Sequence, residues 1–355
     1  MWKRACAVML ASSLAACGGG GGADSGITKT PLPPVTPTPS IDPVVLATGL
    51  QIPWSITFSG GTALVSERGS ARILALGAGG ALTPIATIAG VSGSGEGGLL
   101  GITVRDGYLY AYFTAADGNR IERYPLSGSG AGTRLGAAQL LLSGIPARSN
   151  HNGGRLAFGP DGMLYASTGD AGTGSRAQDL SSLAGKILRM TPDGRVPADN
   201  PFAGSYVYSY GHRNVQGMAW SGSGALYASE FGENTWDELN LIKAGGNYGW
   251  PAVEGKAGDA KYLDPVQQWP TSEASPSGIA ISGDNIYIAN LRGERLRKVP
   301  LAATGTATEF YVKQYGRLRD VVVAPDGRLY LLTNNTDGRG TPRAGDDRIL
   351  NVPAL

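Results

Sequence analysis

From Pro43 onward, apolar and polar residues alternate in short runs, each introduced by a glycine-containing turn. SGGTALVSE around Leu64, RDGYLYAYF around Leu109, GPDGMLYAST around Leu164, GSGALYASE around Leu226, SGDNIYIAN around Ile286 and APDGRLYLLT around Leu329 are copies of one pattern. Asp-Gly and Gly-Asp between alternating apolar positions mark tight hairpins, because such turns need positive φ. A second strand-like run precedes most copies: Trp54 to Phe58, Leu100 to Val104, Arg155 to Phe158, Met218 to Trp220, Gly278 to Ile281 and Asp320 to Val323. Successive centres lie roughly 43 to 62 residues apart, a period of propeller blades rather than of helical solenoids. Six such units predict an all-β fold, a six-bladed β-propeller over residues 43–355, in which radial repetition protects the sheet edges. An irregular β-sandwich is the alternative. Ring closure needs both chain ends in one blade, and Val44 to Ala47 and Arg348 to Val352 are strand-like runs suited to pair.

Composition narrows the picture. With 55 glycines, 22 prolines and 16% charged residues, the chain favours turns and short strands over long helices. The net charge of +2 and the lack of a basic run argue against a nucleic-acid partner. At the N-terminus, Lys3 and Arg4 precede an apolar stretch, Ala5 to Leu14, too short to span a bilayer, so residues 1–17 read as a signal segment. Its Leu14-Ala15-Ala16-Cys17 ending resembles a bacterial lipobox. That implies cleavage before Cys17, lipid on its thiol, and export to the periplasm or outer membrane, with membrane contact through the anchor alone. Cys17 would then be the single cysteine of the mature chain, which excludes an internal disulfide. Residues 18–42, rich in Gly, Pro and Thr, form a tether.

Several constellations could carry chemistry. Gly93 to Gly98 matches G-x-G-x-x-G, but a strand-like run follows it where a dinucleotide site needs a helix, so it reads as a loop. There are two histidines in 355 residues. His151 lies in a loop before a strand, where an imidazole suits general-base work or a structural role. His212 shares a turn with Arg213, Asn214 and Gln216. Neither histidine has an evident serine partner for a hydrolytic triad. Arg317 and Arg319, two apart, would face one way on a strand, which suits a solvated surface or an anionic ligand. Glu230, Glu233, Asp237 and Glu238 form an acidic stretch that could bind Ca2+ or simply be solvated, without the spacing of an EF-hand. Gly245 to Trp250 could stack on a flat ligand or pack beneath the loop. No Cys/His spacing for zinc occurs beyond Cys17.

SYGHRNVQG (209–217), SEFGENTWDELN (229–240) and GGNYGWP (245–251) closely resemble matching segments of the PQQ-dependent aldose (glucose/sorbosone) dehydrogenases. The likeness extends over nearly the whole domain, through GEGGLLG (95–101), NHNGGRLAFGPDG (150–162), AQDLSSLAGKILRMTPDG (177–194), DNPF (199–202), SEASPSGIA (272–280) and GRLRDVVVAPDGRLYLLT (316–333). The resemblance implies a six-bladed propeller that oxidises the C1 hydroxyl of aldoses to lactones, with hydride transfer to pyrroloquinoline quinone (PQQ) held by Ca2+ and with an external electron acceptor. By the same resemblance, His151 is the general base and Arg213 and Asn214 contact the quinone oxygens. Arg317 and Arg319 face the cofactor carboxylates, Glu96, Asn150 and Arg292 fall at further cofactor-side positions, and main-chain carbonyls of Gly232 and Glu233 hold the Ca2+.

The chain departs from the best-known glucose-oxidising members at several of these places. Asn150 stands where they carry Asp, so a carboxylate able to orient the imidazole is expected to be missing. Glu96, Phe231 and Ala171 each replace a Gln, and Arg292 takes a Lys position. Two rival readings follow from these departures and from the fold class: a non-catalytic propeller that binds a saccharide or a protein, and a calcium-dependent lactonase-type hydrolase.

Overall fold

The computed structural model describes residues 42–355. The signal segment, Cys17 and all of the tether but its last residue lie outside the described residues. The described chain forms six antiparallel sheets, and each is built from one copy of the repeat. The first blade is Pro53–Ser59, Thr62–Glu67, Arg72–Leu76 and Leu82–Thr87. The second is Leu99–Arg105, Tyr108–Ala115, Gly118–Ser127 and Gln139–Ile145, with Arg134–Leu135 beside its third strand. Leu156–Phe158, Leu164–Ser167, Lys186–Met190 and Val207–Tyr210 form the third. Val215–Trp220, Leu226–Glu230, Trp236–Ile242 and Gln267–Pro270 form the fourth. The fifth is Pro276–Ser282, Asn285–Asn290, Arg295–Pro300 and Thr308–Phe310.

The sixth blade closes the ring as expected. Leu318–Val323, Leu329–Thr333 and Ile349–Val352 take Val44–Ala47 as their outer strand, with Val44 opposite Asn351 and Val45 opposite Leu350. The first strands of successive blades touch all the way round, and that of blade 6 returns to that of blade 1. Because each sheet is covered by a neighbour on both faces, its strands are buried on both sides rather than alternately. Tyr108–Ala115 is buried at every position but the first. The apolar core is accordingly divided into six clusters between blades rather than one central mass. Close approach of inner strands demands small residues: a Cβ on Gly217 would lie 2.4 Å from the Ser277 carbonyl oxygen of the next blade. Among the described residues no helix is long and apolar enough to cross a membrane.

Candidate active site

The repeat sorts the chemistry to one end of the propeller. Glu96, His151, Arg213, Ser275 and Arg317 all lie just before the first strand of a blade. Arg68, Asp170, Phe231 and Arg292 all lie just after a second strand. In an antiparallel hairpin these two positions share an end, so residues from every part of the sequence converge on one mouth. There a cavity of about 700 Å3, counted to its open mouth, is lined by Trp54, Arg68, Glu96, Gln216, Phe231, Arg292, Arg317, Arg319 and Arg339, among others.

The charge of this cavity is its main property. Five arginines face Glu96 and, behind Arg317 at 3.2 Å, Asp337, a balance of five minus two or +3. Arg317 and Arg319 are buried, not solvated. Burial, with Arg68 and Arg317 beside it, pulls Arg319 down to about 9, so it remains a cation at neutral pH. The Arg319 guanidinium lies 5.7 Å from the Trp54 ring centre and donates to Gln216 Oε1 at 3.2 Å. The Nε atoms of Arg317, Arg319 and Arg213 are buried without a partner among the described residues. Unpaired buried donors are costly unless a ligand satisfies them. The cavity therefore suits a flat, multiply anionic molecule, with Trp54 as an aromatic wall.

His151 stands beside this cavity. Its neighbours Asn152 and Gly153 line it, as does Glu96, whose Oε2 accepts the His151 amide at 2.9 Å. The ring Nδ1 lies 2.8 Å from Asp170 Oδ1. Asp170 also accepts from the Gly172 amide at 2.7 Å and from the Trp250 indole N–H at 2.8 Å. Burial opposes its ionisation, yet the hydrogen bonds from His151, Trp250 and Gly172 hold its carboxyl below the usual range. A carboxylate acceptor at Nδ1 fixes the proton there and leaves Nε2 with a free lone pair. The expectation from Asn150 that no carboxylate orients the imidazole is thus overturned: Asp170 does so from the end of a blade 3 strand. The approach is possible because residue 169 is glycine, where a Cβ would sit 1.9 Å from the His151 carbonyl oxygen. Asn150 itself is half-buried and does not line the cavity.

Arg213 lines a smaller cleft with Phe231, Gly232 and Trp250, and Phe231 joins this cleft to the main cavity. Its guanidinium donates to the Phe231 carbonyl at 3.3 Å and lies 5.3 Å from the Trp250 ring centre. Asn214 is buried, and its Oδ1 accepts from the Gly153 amide at 3.0 Å and from Gln216 Nε2 at 3.1 Å. The acidic stretch is not a solvated loop. Glu230, Asp237 and Glu238 are buried at strand ends. Asp237 accepts from the Gly232 and Ser275 amides, and Glu238 from the Gly255 amide. Glu233 is exposed. Its amide, with those of Asn234, Thr235 and Trp236, donates to a single Glu254 oxygen. The Gly232 and Glu233 carbonyls accept no hydrogen bond from the described residues, which leaves hard oxygen ligands free at this point. Among the described residues no three His, Cys, Asp or Glu side chains cluster as a metal site.

His212 does have a serine partner, contrary to the sequence reading: Ser209 Oγ lies 2.9 Å from Nε2, and Glu230 Oε2 2.9 Å from Nδ1. The ring is fully buried and stacks on Tyr248, so this group is structural. Sequence reasoning also missed Arg68, Asp170 and Arg339, and it left Trp250 between stacking on a ligand and packing beneath the loop, whereas its indole holds Asp170. For Arg68 and Asp170 the signal was available in the register of the repeat.

A closed six-bladed propeller with a cationic cavity and a carboxylate-oriented imidazole at its mouth is the architecture of a propeller enzyme built for an anionic ligand. The chain belongs to the glucose/sorbosone dehydrogenase family, whose model matches residues 50–342. It is similar to the aldose sugar dehydrogenase of Streptomyces coelicolor in its PQQ-bound form, with 52% identity and a TM-score of 0.84 over 87% of this chain and 96% of that one. It is 30% identical to the Escherichia coli aldose sugar dehydrogenase YliI over 83% of this chain and 90% of that protein. It is also 42% identical to quinoprotein glucose dehydrogenase B of Acinetobacter calcoaceticus, over 34% of this chain and 30% of that protein.

Proposed function

We propose that this dehydrogenase oxidises the C1 hydroxyl of aldose sugars to the lactone, with PQQ and Ca2+ as cofactors and an external electron acceptor. The observation that carries the reading is His151, its Nε2 left free by the bond to Asp170, beside a cavity of net charge +3. When bound, PQQ, a planar ortho-quinone with three carboxylates, supplies the acceptor for the C1 hydride, and Ca2+ supplies a Lewis acid on its oxygens. The residues present fit both. Arg317 and Arg319, with Arg68, Arg292 and Arg339 around them and less the charges of Glu96 and Asp337, match three carboxylates in net charge. Arg213 offers an unpartnered donor where negative charge grows. The Gly232 and Glu233 carbonyls are the candidate Ca2+ ligands.

In this reading His151 Nε2 takes the C1 hydroxyl proton. Asp170 holds the ring in the tautomer that can accept it and offsets the imidazolium charge that results. Trp250 fixes the far oxygen of Asp170 and carries Arg213 on its face, so base and cation are set by one indole.

The test is dye reduction by the purified chain with added PQQ and Ca2+ across a panel of aldoses, with no-PQQ and EDTA controls. Turnover that needs both additions and yields the lactone is expected. Failure of PQQ to bind or to shift the melting temperature would sink the reading and favour a non-catalytic propeller.

A further inference from the structure

Glu96 makes two contacts that a direct cofactor role does not explain. Its Oε2 accepts the His151 amide at 2.9 Å, and its Oε1 lies 3.0 Å from Arg339 Nη1. His151 has a φ of +54°, a left-handed conformation that a residue with a side chain adopts only when its surroundings hold it. Three contacts do so: the amide on Glu96, the carbonyl on the Ala171 amide at 3.2 Å, and the ring on Asp170 at 2.8 Å. The last two come from the strand end of the same blade. Glu96 alone comes from the segment leading into the preceding blade, and of the three partners it alone lines the cavity. Arg339, on the loop between Leu329–Thr333 and Ile349–Val352 of blade 6, has 53% of its side chain exposed there. Without Glu96 the cavity would hold five arginines against Asp337, or +4; with it the balance is +3.

We propose that Glu96 has two separable roles: through Arg339 its charge moderates the pull of the cavity on a polyanionic ligand, and through Oε2 it holds His151 in its left-handed backbone conformation. Glu96 is then a positioning residue for the base. The first role needs the charge, and the second needs only an acceptor atom. Gln at this position keeps the second and loses the first, whereas Ala loses both. Arg339→Gln also leaves the acceptor in place, but it lowers the cation count by one and so shifts the cavity charge the opposite way. The charge role rests on the cavity being the PQQ site, whereas the backbone role does not.

The chain has two histidines, so selective 15N-histidine labelling of the untagged protein gives two backbone amide signals, His151 and His212. Hydrogen exchange is then read without cofactor. Glu96→Ala is expected to speed exchange of the His151 amide at least about tenfold, while Glu96→Gln and Arg339→Gln leave it within about threefold. The buried His212 amide is the control for an intact fold in each variant. PQQ affinity is titrated separately, without sugar, at low and high salt. Both Glu96 variants should bind PQQ about three- to tenfold more tightly at low salt and Arg339→Gln more weakly by a similar factor, with the differences shrinking at high salt. Equal exchange in Glu96→Gln and Glu96→Ala would overturn the positioning role. Unchanged affinity in all three variants would overturn the charge role. A wild-type chain that binds no PQQ would remove the charge role together with the proposed function, and the exchange arm would still decide the positioning role.

Discussion

The molecule contains two imidazoles built almost alike. Each has Nδ1 on a buried carboxylate, Asp170 at 2.8 Å for His151 and Glu230 at 2.9 Å for His212. Each sits just before the first strand of a blade, in adjacent blades. They differ at the other nitrogen. Nε2 of His212 meets Ser209 at 2.9 Å in a fully buried pocket beneath Tyr248. His151 keeps 15% of its side chain exposed beside the arginine-lined cavity, and the ring makes no second hydrogen bond to the described residues. A carboxylate partner therefore does not distinguish a base from a structural histidine. The unused nitrogen does, together with access to the cavity.

The most direct way to break this comparison is to remove the base. His151→Ala should lower kcat by about 10²- to 10⁴-fold, the usual range for a positioned general base, while the melting temperature and PQQ binding stay near the wild-type values. A variant that unfolds instead would make His151 structural and put both histidines in one category. Asp170→Asn comes next. The amide can present a donor to Nδ1 and so favour the tautomer whose proton lies on Nε2. A loss of about 10²-fold in kcat with little change in KM is expected. Equal losses in both parameters would mean that Asp170 shapes the cavity rather than the base.

His212→Ala should have the opposite profile. It strands Glu230, which keeps the Arg213 and Asn214 amides and Asn240 Nδ2 as partners but loses its imidazole. A destabilisation of about 3 kcal/mol is expected, with residual activity in the folded fraction. Selective loss of turnover without loss of stability would show that the buried histidine contributes to chemistry.

The fold was legible because it is local and repeated. Six hairpins with Asp-Gly-type turns, and apolar runs of strand length, specify the blades one at a time, and even the closing pair Val44/Asn351 followed from the strand-like ends. The site was legible only in part. His151, Arg213, Arg317 and Arg319 stand in segments with strong family likeness. Asp170 is signalled only by its place after a second strand: it lies 19 residues beyond His151, and its role depends on a glycine contact between two loops. The expectation of a missing carboxylate failed because it looked for the partner next to the histidine in sequence. Arg339 is harder still, since its loop between two strands of blade 6 meets Glu96 only after the ring has closed. The acidic stretch looked like one loop, yet its carboxylates are separated by burial, which sequence does not give residue by residue.

Those carboxylates sharpen the comparison at its weakest point, the network that immobilises His212. Asn240 Nδ2 bridges Glu230 Oε2 at 3.2 Å and Glu238 Oε2 at 3.1 Å. Burial and then the nearby charge of Glu230 push the Glu238 carboxyl well above its usual range. A carboxyl whose folded value is raised favours the folded state while it is protonated, so its contribution is fully present below the unfolded value. That contribution is lost as pH rises through the raised one. The chain should therefore lose stability progressively from mildly acidic to mildly alkaline pH, until this proton has left. Glu238→Gln cannot ionise, and Oε1 can still accept the Gly255 amide. Melting temperatures measured from pH 6 to 9 in EDTA, so that no divalent cation screens the pair, should fall less steeply for Glu238→Gln, by about 1 kcal/mol of stability at the alkaline end. Parallel curves would mean that Glu238 is already ionised at pH 6. The polar anchor of His212 would then tolerate two adjacent charges, and the rigidity assigned to it would have to come from the Tyr248 stack and Ser209 alone.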